Sequence, residues 1–410
     1  MTEVHVYLAA SGGDVKAATV YTSVRRGRLT SVLGYEPAYL ARSDAYSIDP
    51  AIPLMAGSWP SAGPLPRALL DAAPDRWGRM LIDKREAAVA RKGGRATRRL
   101  TDQDYLLGVS DATRQGALRF ALTLGGAFQH PARQVPKLVE LPKLLRAADQ
   151  ATQTGEDAED AVKALLSAGS ASLGGARPKA AVSDGRDLLI AKFPHSHDRW
   201  DVMAWEAVGL ALAAEAGIEV PETRLARVAD RSVLLSRRFD REGSRRVPYI
   251  SALTAVPVDD AAQADYLDVA EALGRLSADP SRDLAELWRR IAFTVAVHNT
   301  DDHLRNMGLL RAGTGWRLAP AFDINPTPDS RQPRVTPIGG ALDTSGSAAA
   351  LLEHAQAFGL TAEQARVTAR EVAAASARWV AAATMHGLDS ESRDRFAAVF
   401  TAGAAALRAL

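Results

Sequence analysis

Three oxygen-bearing side chains near the end of the chain have the types and spacing for phosphoryl chemistry. In His298-Asn299-Thr300-Asp301-Asp302-His303-Leu304-Arg305-Asn306, Asp301 and Asn306 stand five residues apart, and Asp323 follows in Leu318-Ala319-Pro320-Ala321-Phe322-Asp323. A phosphotransferase loop uses that offset to orient a hydroxyl with its aspartate and to hold a metal ion with its asparagine, a second carboxylate completing the metal's protein ligands. Asp301 is accordingly expected to be the general base or hydroxyl-orienting group, and Asn306 and Asp323 to hold Mg²⁺, whose preference is for hard oxygen donors. Asp302 is adjacent to Asp301 but lacks the five-residue offset. His303 is expected to brace the loop. Arg305 is read equally as a phosphate contact or as a solvated side chain.

A second set of candidates lies upstream. Ser172-Leu173-Gly174-Gly175-Ala176-Arg177-Pro178-Lys179 precedes a hairpin signal, so Gly174, Gly175 and Ala176 can bring backbone amides close to phosphate, with Lys179 at the end of the loop. It is not a Walker loop, because Pro178 precedes the lysine and Ala180 follows it. By itself such a stretch also fits a plain turn between a helix and a strand. Lys192 shares a strand face with Leu188 and Ile190, and Glu206 falls on an apolar helical stripe with Val202, Trp205, Gly209, Leu210 and Ala213. A pair between Lys192 and Glu206 would satisfy both charges and is the kinase device for holding nucleotide phosphates. The competing expectation is a lysine that snorkels and a glutamate favoured only by the dipole of its helix.

Periodicity elsewhere in the chain supplies a framework for these side chains. Strand patterns at Val4 to Ala10 and Ala17 to Val24 precede a Pro- and Gly-rich irregular stretch, and a helix starts at Asp75. Hairpins are expected at Ala180 to Ser183 with Leu188 to Phe193, and at Thr223 to Ala229 with Ser232 to Ser236, around a helix from Val202 to Ala216. Beyond Asp265 the pattern is nearly all helical, and a helix with Leu284, Leu287, Trp288, Ile291 and Val295 on one face feeds the Asp301 loop. Strands first and helices later imply an α+β fold. Five positive charges lie between Arg91 and Arg99. They fit a solvated link or a contact for nucleic acid or an acidic partner, and the lack of interleaved aromatics favours the link.

Composition narrows the classes. The 410 residues are 47% hydrophobic and 24% charged, which suits two or three ordinary globular cores, and a net charge of +2 does not by itself argue for nucleic acid. The absence of cysteine excludes disulfides, thiolate zinc sites and cysteine nucleophiles. With neither a signal-peptide pattern nor an apolar run long enough to span a bilayer, a cytoplasmic protein without membrane contact is expected.

Taken in order, these motifs resemble the HipA family of toxin kinases from bacterial type II toxin–antitoxin systems. Ser172 to Lys179 is similar to the family's Ser-x-x-Gly-Ala-Gln-x-Lys stretch, with Arg177 in place of the glutamine. Asn299 to Asn306 and Leu318 to Asp323 are similar to its catalytic and metal motifs, and Leu70 to Asp75 with Gly116-Ala117-Leu118 to its N-terminal subdomain. The resemblance implies a bilobal protein-kinase-like fold: an N-terminal subdomain over 1–120, a kinase-like N-lobe with the Gly-rich loop over 121–236, and a helical C-lobe over 237–410. It also implies an ATP- and Mg²⁺-dependent serine/threonine protein kinase in which Lys192 contacts nucleotide phosphates, Arg237 and Phe239 offer backbone groups to adenine, and Ser172 can be phosphorylated. Implied partners are a protein substrate such as an aminoacyl-tRNA synthetase, a HipB-like helix-turn-helix antitoxin, and operator DNA mainly through that antitoxin. A metal-dependent phosphohydrolase, a small-molecule phosphotransferase and an inactive kinase-fold corepressor are the alternatives.

Overall fold

Alternation in the first strand is what starts the N-terminal sheet. Val4, Val6 and Leu8 of β1 (Thr2–Ala10) are buried, and β1 pairs antiparallel with β2 (Gly13–Arg25), which pairs with β3 (Arg28–Tyr35). Val20 lies opposite both Val4 and Leu33, so the three strands share one apolar face. β4 (Trp59–Pro60) and β5 (Leu118–Ala121) complete the five-stranded order β4-β3-β2-β1-β5. The molecule is described here from a computed structural model, which covers residues 1–10, 12–130, 135–172, 177–185, 187–256 and 264–410. The chain forms two compact units. Unit 1 is Met1–Ser196, Val228–Arg231 and Arg237–Ile250, and unit 2 is His197–Arg227, Ser232–Ser236 and Ser251–Leu410.

In unit 1, α1 (Pro37–Leu40) precedes the stretch between Pro50 and Pro74 expected to be irregular, and α2 (Arg67–Asp71) lies within it. α3 (Arg76–Lys92) begins where Asp75 caps the Gly78 amide at 2.7 Å, and α4 (Asp102–Leu107) begins with a reciprocal Thr101–Asp104 capping box. α5 (Leu141–Gln150) and α6 (Glu156–Ser167) pack with α3 around Trp77, Leu81, Ala147, Ala161 and Leu165. The expected hairpin follows as β6 (Lys179–Asp184) and β7 (Asp187–Lys192).

Unit 2 starts with α7 (Val202–Glu215), capped by Asp201, and the neighbouring strands β8 (Thr223–Val228) and β9 (Arg231–Arg237). The short strands β10 (Arg241–Glu242) and β11 (Arg245–Arg246) that come next in the chain belong to unit 1, and unit 2 resumes at the end of β12 (Tyr249–Ser251). The helices α8 (Ala252–Ala255), α9 (Tyr266–Leu276), α10 (Pro280–Ala296), α11 (Thr344–Glu353), α12 (Ala362–Ser376), α13 (Trp379–Met385) and α14 (Ser390–Arg408) make up most of the remainder. α10 packs against α9, α11, α12 and α14 and so forms the centre of this unit.

The α+β expectation holds, and local departures have physical causes. The stretch beyond Asp265 is not all helical, because β13 (Gly308–Ala312) and β14 (Gly315–Leu318) form a hairpin whose turn uses Gly313 at φ 53°. α7 is buried on nearly every side rather than on one stripe, from Val202 through Leu210. Its second face carries Met203, Ala204, Ala207 and Val208, so no polar side exists to face water.

One ionic knot organises unit 1. Asp240 is 2% exposed, receives the Arg238 guanidinium at 2.6 and 2.8 Å, Arg241 at 2.8 Å and the Gly116 amide at 2.7 Å. The same arginines donate to the carbonyls of Thr113 and Arg114, so the segment after β9 is tied to the loop before β5. Burial alone would raise the Asp240 pKa, but the charges of Arg238 and Arg241 and the Gly116 amide hold it well below the usual carboxylate range. A depressed folded pKa means stability that is present above the unfolded value of about 3.9 and is lost as pH falls toward the folded one. Asp240→Asn should cost about 3–5 kcal/mol at neutral pH by leaving two buried guanidinium groups uncompensated, and should flatten the acid limb below about pH 4. Urea unfolding of both proteins across pH measures this; equal midpoints would show that the knot adds nothing.

Candidate active site

Two neighbouring aspartates in unit 2 are turned in opposite directions. α10 ends at Ala296, and the chain then reverses through His298 at φ 52°, a left-handed backbone uncommon for a residue other than glycine. His298 is held in that turn by Nε2, 2.9 Å from the Asp329 carbonyl, a geometry only a protonated Nε2 can satisfy. Asp302 then points inward. It is 5% exposed, forms an ion pair with Arg334, accepts from the Tyr266 hydroxyl at 3.1 Å and from the Thr336 amide at 3.3 Å, while its carbonyl accepts from Thr336 Oγ1 at 2.8 Å. Arg334 also bonds Thr294 Oγ1 at 2.7 Å, which ties the loop to α10. Asp301 is exposed by contrast.

Asn306 closes the loop on itself. Its Nδ2 donates to the Asp301 carbonyl at 2.9 Å and its amide to the His303 carbonyl at 2.8 Å. With the nitrogen so used, Oδ1 is the end of the carboxamide left for a ligand. Asp323 sits at φ 60°, a second left-handed non-glycine residue, and accepts from Asn325 Nδ2 at 3.3 Å. The two carboxylates feel one another. Partial burial raises the Asp301 pKa above its ordinary value, His303 opposes that shift, and the charges of Asp323 and Asp302 add to it.

A small cavity of about 40 Å³ opens among Asn299, Asp302, His303, Asn306, Phe322 and Asp323, room for about one water or a small cation. Asn299 Oδ1 and His303 Nδ1, both buried, have no hydrogen-bond partner among the described residues. Hard oxygen donors at Asn306 and Asp323, repelling negative charges and unsatisfied polar atoms fit a hydrated Mg²⁺. Among the described residues no group of three or more histidines and carboxylates is arranged to hold a metal alone.

Glu206 in α7 is 1% exposed, and one turn later Gly209 sets how close its helix comes to the Asp323 segment. A Cβ at 209 would lie 2.8 Å from the Ile324 carbonyl oxygen and 3.0 Å from Ile324 Cγ2, so only glycine allows this approach. On the far side Trp205 stacks on Phe396 at 3.9 Å between ring centroids, which locks α7 to α14.

The remaining candidates belong to unit 1. Gly174, Gly175 and Ala176 lie outside the described residues, while Ser172 ends the helical turn Ser170–Ser172. The base of that loop is stapled. Trp77 Nε1 donates to Ser170 Oγ at 3.0 Å, Ser170 Oγ donates to the Lys179 carbonyl, and Lys179 Nζ lies 2.7 Å from Asp75, the cap of α3. Lys179 is only 2% exposed, and Lys192 lies directly opposite it in the β6–β7 register. Arg237 pairs through its side chain with Asp187 at 2.9 Å, the Arg238 amide bonds the Leu188 carbonyl at 3.0 Å, and the Phe239 ring lies 6.3 Å from that of Tyr249.

The sequence alone did not single out Asp302 as an anchor, nor Tyr266, Arg334 and Thr336 as its partners. Arg290 also escaped notice, although its donation to the Ala319 carbonyl at 2.7 Å supports the run leading to Asp323. Gly209→Ala should destabilise the protein by about 1–3 kcal/mol, because a methyl group must displace backbone at Ile324. Urea titration checks this, and an unchanged midpoint would contradict the close approach.

A family model described as the HipA-like C-terminal domain matches residues 171–380. A curated relative, the putative kinase Y4mE of Sinorhizobium fredii, is 27% identical over 146 residues, which span 33% of this chain and 33% of that protein. Among solved structures, the Shewanella oneidensis toxin–antitoxin complex of HipA, HipB and operator DNA aligns with a TM-score of 0.69 at 16% identity, covering 99% of this chain and 97% of that one. The Helicobacter pylori proinflammatory kinase CtkA aligns over 58% of this chain and 93% of its own at a TM-score of 0.45 and 15% identity. With a family model matched across half of its residues and a solved HipA chain matched in fold along almost its whole length, this chain belongs to the HipA-like family and has that family's α+β, kinase-like fold.

Proposed function

We propose that this protein is an ATP- and Mg²⁺-dependent serine/threonine protein kinase, the toxin of a HipA/HipB-like toxin–antitoxin system. The observation that supports this reading most is the outward Asp301, close enough to Asp323 for the second charge to raise its pKa, with Asn306 bonded to the same loop. Asp301 orients the attacking hydroxyl and accepts its proton, so the oxygen becomes nucleophilic as the γ-phosphoryl leaves ATP. Asp323 and Asn306 would hold Mg²⁺, whose charge would offset that building on the phosphate oxygens. Lys192, oriented by Glu206, contacts the nucleotide phosphates, the loop of Gly174, Gly175 and Ala176 covers them with Lys179 at its base, and the backbone at Arg237 and Phe239 receives adenine. His303 braces the loop beside the metal.

Partners are part of the same proposal: a protein substrate such as an aminoacyl-tRNA synthetase, a HipB-like helix-turn-helix antitoxin, and operator DNA mainly through that antitoxin. No helix among the described residues is long and apolar enough to cross a membrane. A phosphohydrolase built on His298, Asp301, Asp302, His303 and Asp323 has less support, because His298 and Asp302 are consumed by hydrogen bonds that hold the loop.

Incubating cell lysate with labelled ATP and Mg²⁺ tests the proposal. The wild type should transfer phosphate to serine or threonine of a protein, and Asp301→Asn or Asp323→Asn should lose about 10²- to 10⁴-fold of that rate while melting normally. Residual transfer near the wild-type rate in either variant would refute the assignment. Phosphorylation of Ser172 would bring about two negative charges to a loop meant for phosphate. Ser172→Asp should therefore silence turnover, and full ATP turnover by that variant removes the regulatory part of the proposal.

A further inference from the structure

Most cations of the basic run between Arg91 and Arg99 have partners. Arg91 and Lys92 pair with Glu159, Arg95 with Glu86 at 2.6 Å, and Arg98 with Asp104 at 2.8 Å. A solvated link explains these four. Arg99 is different: it lines a groove of about 410 Å³ together with Arg28, Thr30, Ser61 and Thr101, and it has no ion-pair partner among the described residues.

The groove is also lined by Val24 and Gly27 at the tip of the β2–β3 hairpin, where Arg25, Arg26 and Arg28 are exposed and equally without a carboxylate among the described residues. The tip is built against the preferences of its own fold. Arg25 lies directly opposite Arg28 in register, a like-charge pair that costs sheet stability. Arg26 occupies φ 51° and Gly27 φ 76°, a two-residue turn whose first position favours asparagine, aspartate or glycine. The one carboxylate lining the groove, Asp102, is occupied by Arg79 at 2.7 Å. Two uncompensated guanidinium groups, Arg28 and Arg99, thus line one open groove, and Arg25 and Arg26 stand exposed on the same hairpin tip; charge of that kind is complementary to a row of anions.

Guanidinium forks match phosphate oxygens bidentately. No aromatic side chain lines the groove, so nothing there stacks a splayed base. We propose that the β2–β3 tip and Arg99 bind the phosphodiester backbone of duplex nucleic acid, directly through this chain and without reading bases. Such contacts position a protein on a duplex and leave sequence choice to other groups. The surface does not depend on phosphoryl transfer, and none of its residues belongs to the candidate active site.

The test uses the full chain without nucleotide or antitoxin and a fluorescent DNA duplex of arbitrary sequence, with anisotropy read from about 50 to 200 mM salt. Wild type should bind, with log affinity falling linearly in log salt. Arg25→Ser/Arg28→Ser/Arg99→Ser should weaken binding by on the order of tenfold or more at low salt and make the slope shallower by about 3, since each neutralised phosphate contributes about 0.9. Arg331→Ser, at an exposed arginine of unit 2, should leave both unchanged. Unaltered melting of the triple variant separates lost contacts from lost fold, and unaltered kinase activity, if present, separates the surface from the active site. Equal slopes for wild type and triple variant, or no duplex binding by wild type at low salt, overturn the proposal. So does retention on phosphatidylglycerol vesicles in place of DNA, or displacement of the duplex by inorganic phosphate at constant ionic strength, which would assign the groove to a small phosphate.

Discussion

The buried ion pair between Asp302 and Arg334 is the constraint on which the candidate site depends. Because Asp302 is drawn inward by a guanidinium, a tyrosine hydroxyl and the Thr336 amide, the alternation of the extended loop sends Asp301 outward. Arg334 lies more than thirty residues along the chain and also grips Thr294 of α10, so the pair welds the loop, its feeding helix and the irregular segment after β14 into one piece. Removing either charge would leave the other buried without compensation, an outcome more costly than never having had the pair. The pair is therefore better understood as a device for orientation than as a source of net stability.

Around that anchor, left-handed backbone at His298 and Asp323 aims side chains that regular structure could not aim. The close approach of α7 at Gly209 supports the Asp323 segment from behind. What results is a concentration of negative charge at Asp301 and Asp323 beside neutral oxygen donors, an arrangement that a divalent cation would relieve. The chemistry proposed for the chain would use that repulsion, the ion and the phosphates completing the site.

Unit 1 applies the same economy of charge to a different end. One carboxylate, Asp75, both caps α3 and neutralises Lys179, and with Ser170 it closes the base of the glycine-containing loop. Asp240 does the corresponding work for the segment after β9. The bare arginines of the β2–β3 tip contrast with Arg114, Arg119, Arg238 and Arg246 of the same unit, whose guanidinium groups are matched to carboxylates or carbonyls.

Local pattern was enough to locate the β6–β7 hairpin, the helix of Glu206, the helix feeding Asp301, and the α+β segregation, because period-two and period-3.6 alternation report burial directly. The spacing of Asp301, Asn306 and Asp323 was equally legible, since their separations are short. Tertiary structure alone decided which of two adjacent aspartates is the anchor, for that depends on Arg334, Tyr266 and Thr336, residues from three distant segments whose convergence leaves no periodic trace. The β13–β14 hairpin escaped for a smaller reason, its strands being too short for alternation to show beside the flanking helices. Gly209 read as one more small residue in an apolar helix; only the Ile324 carbonyl packed against it reveals why no side chain fits there.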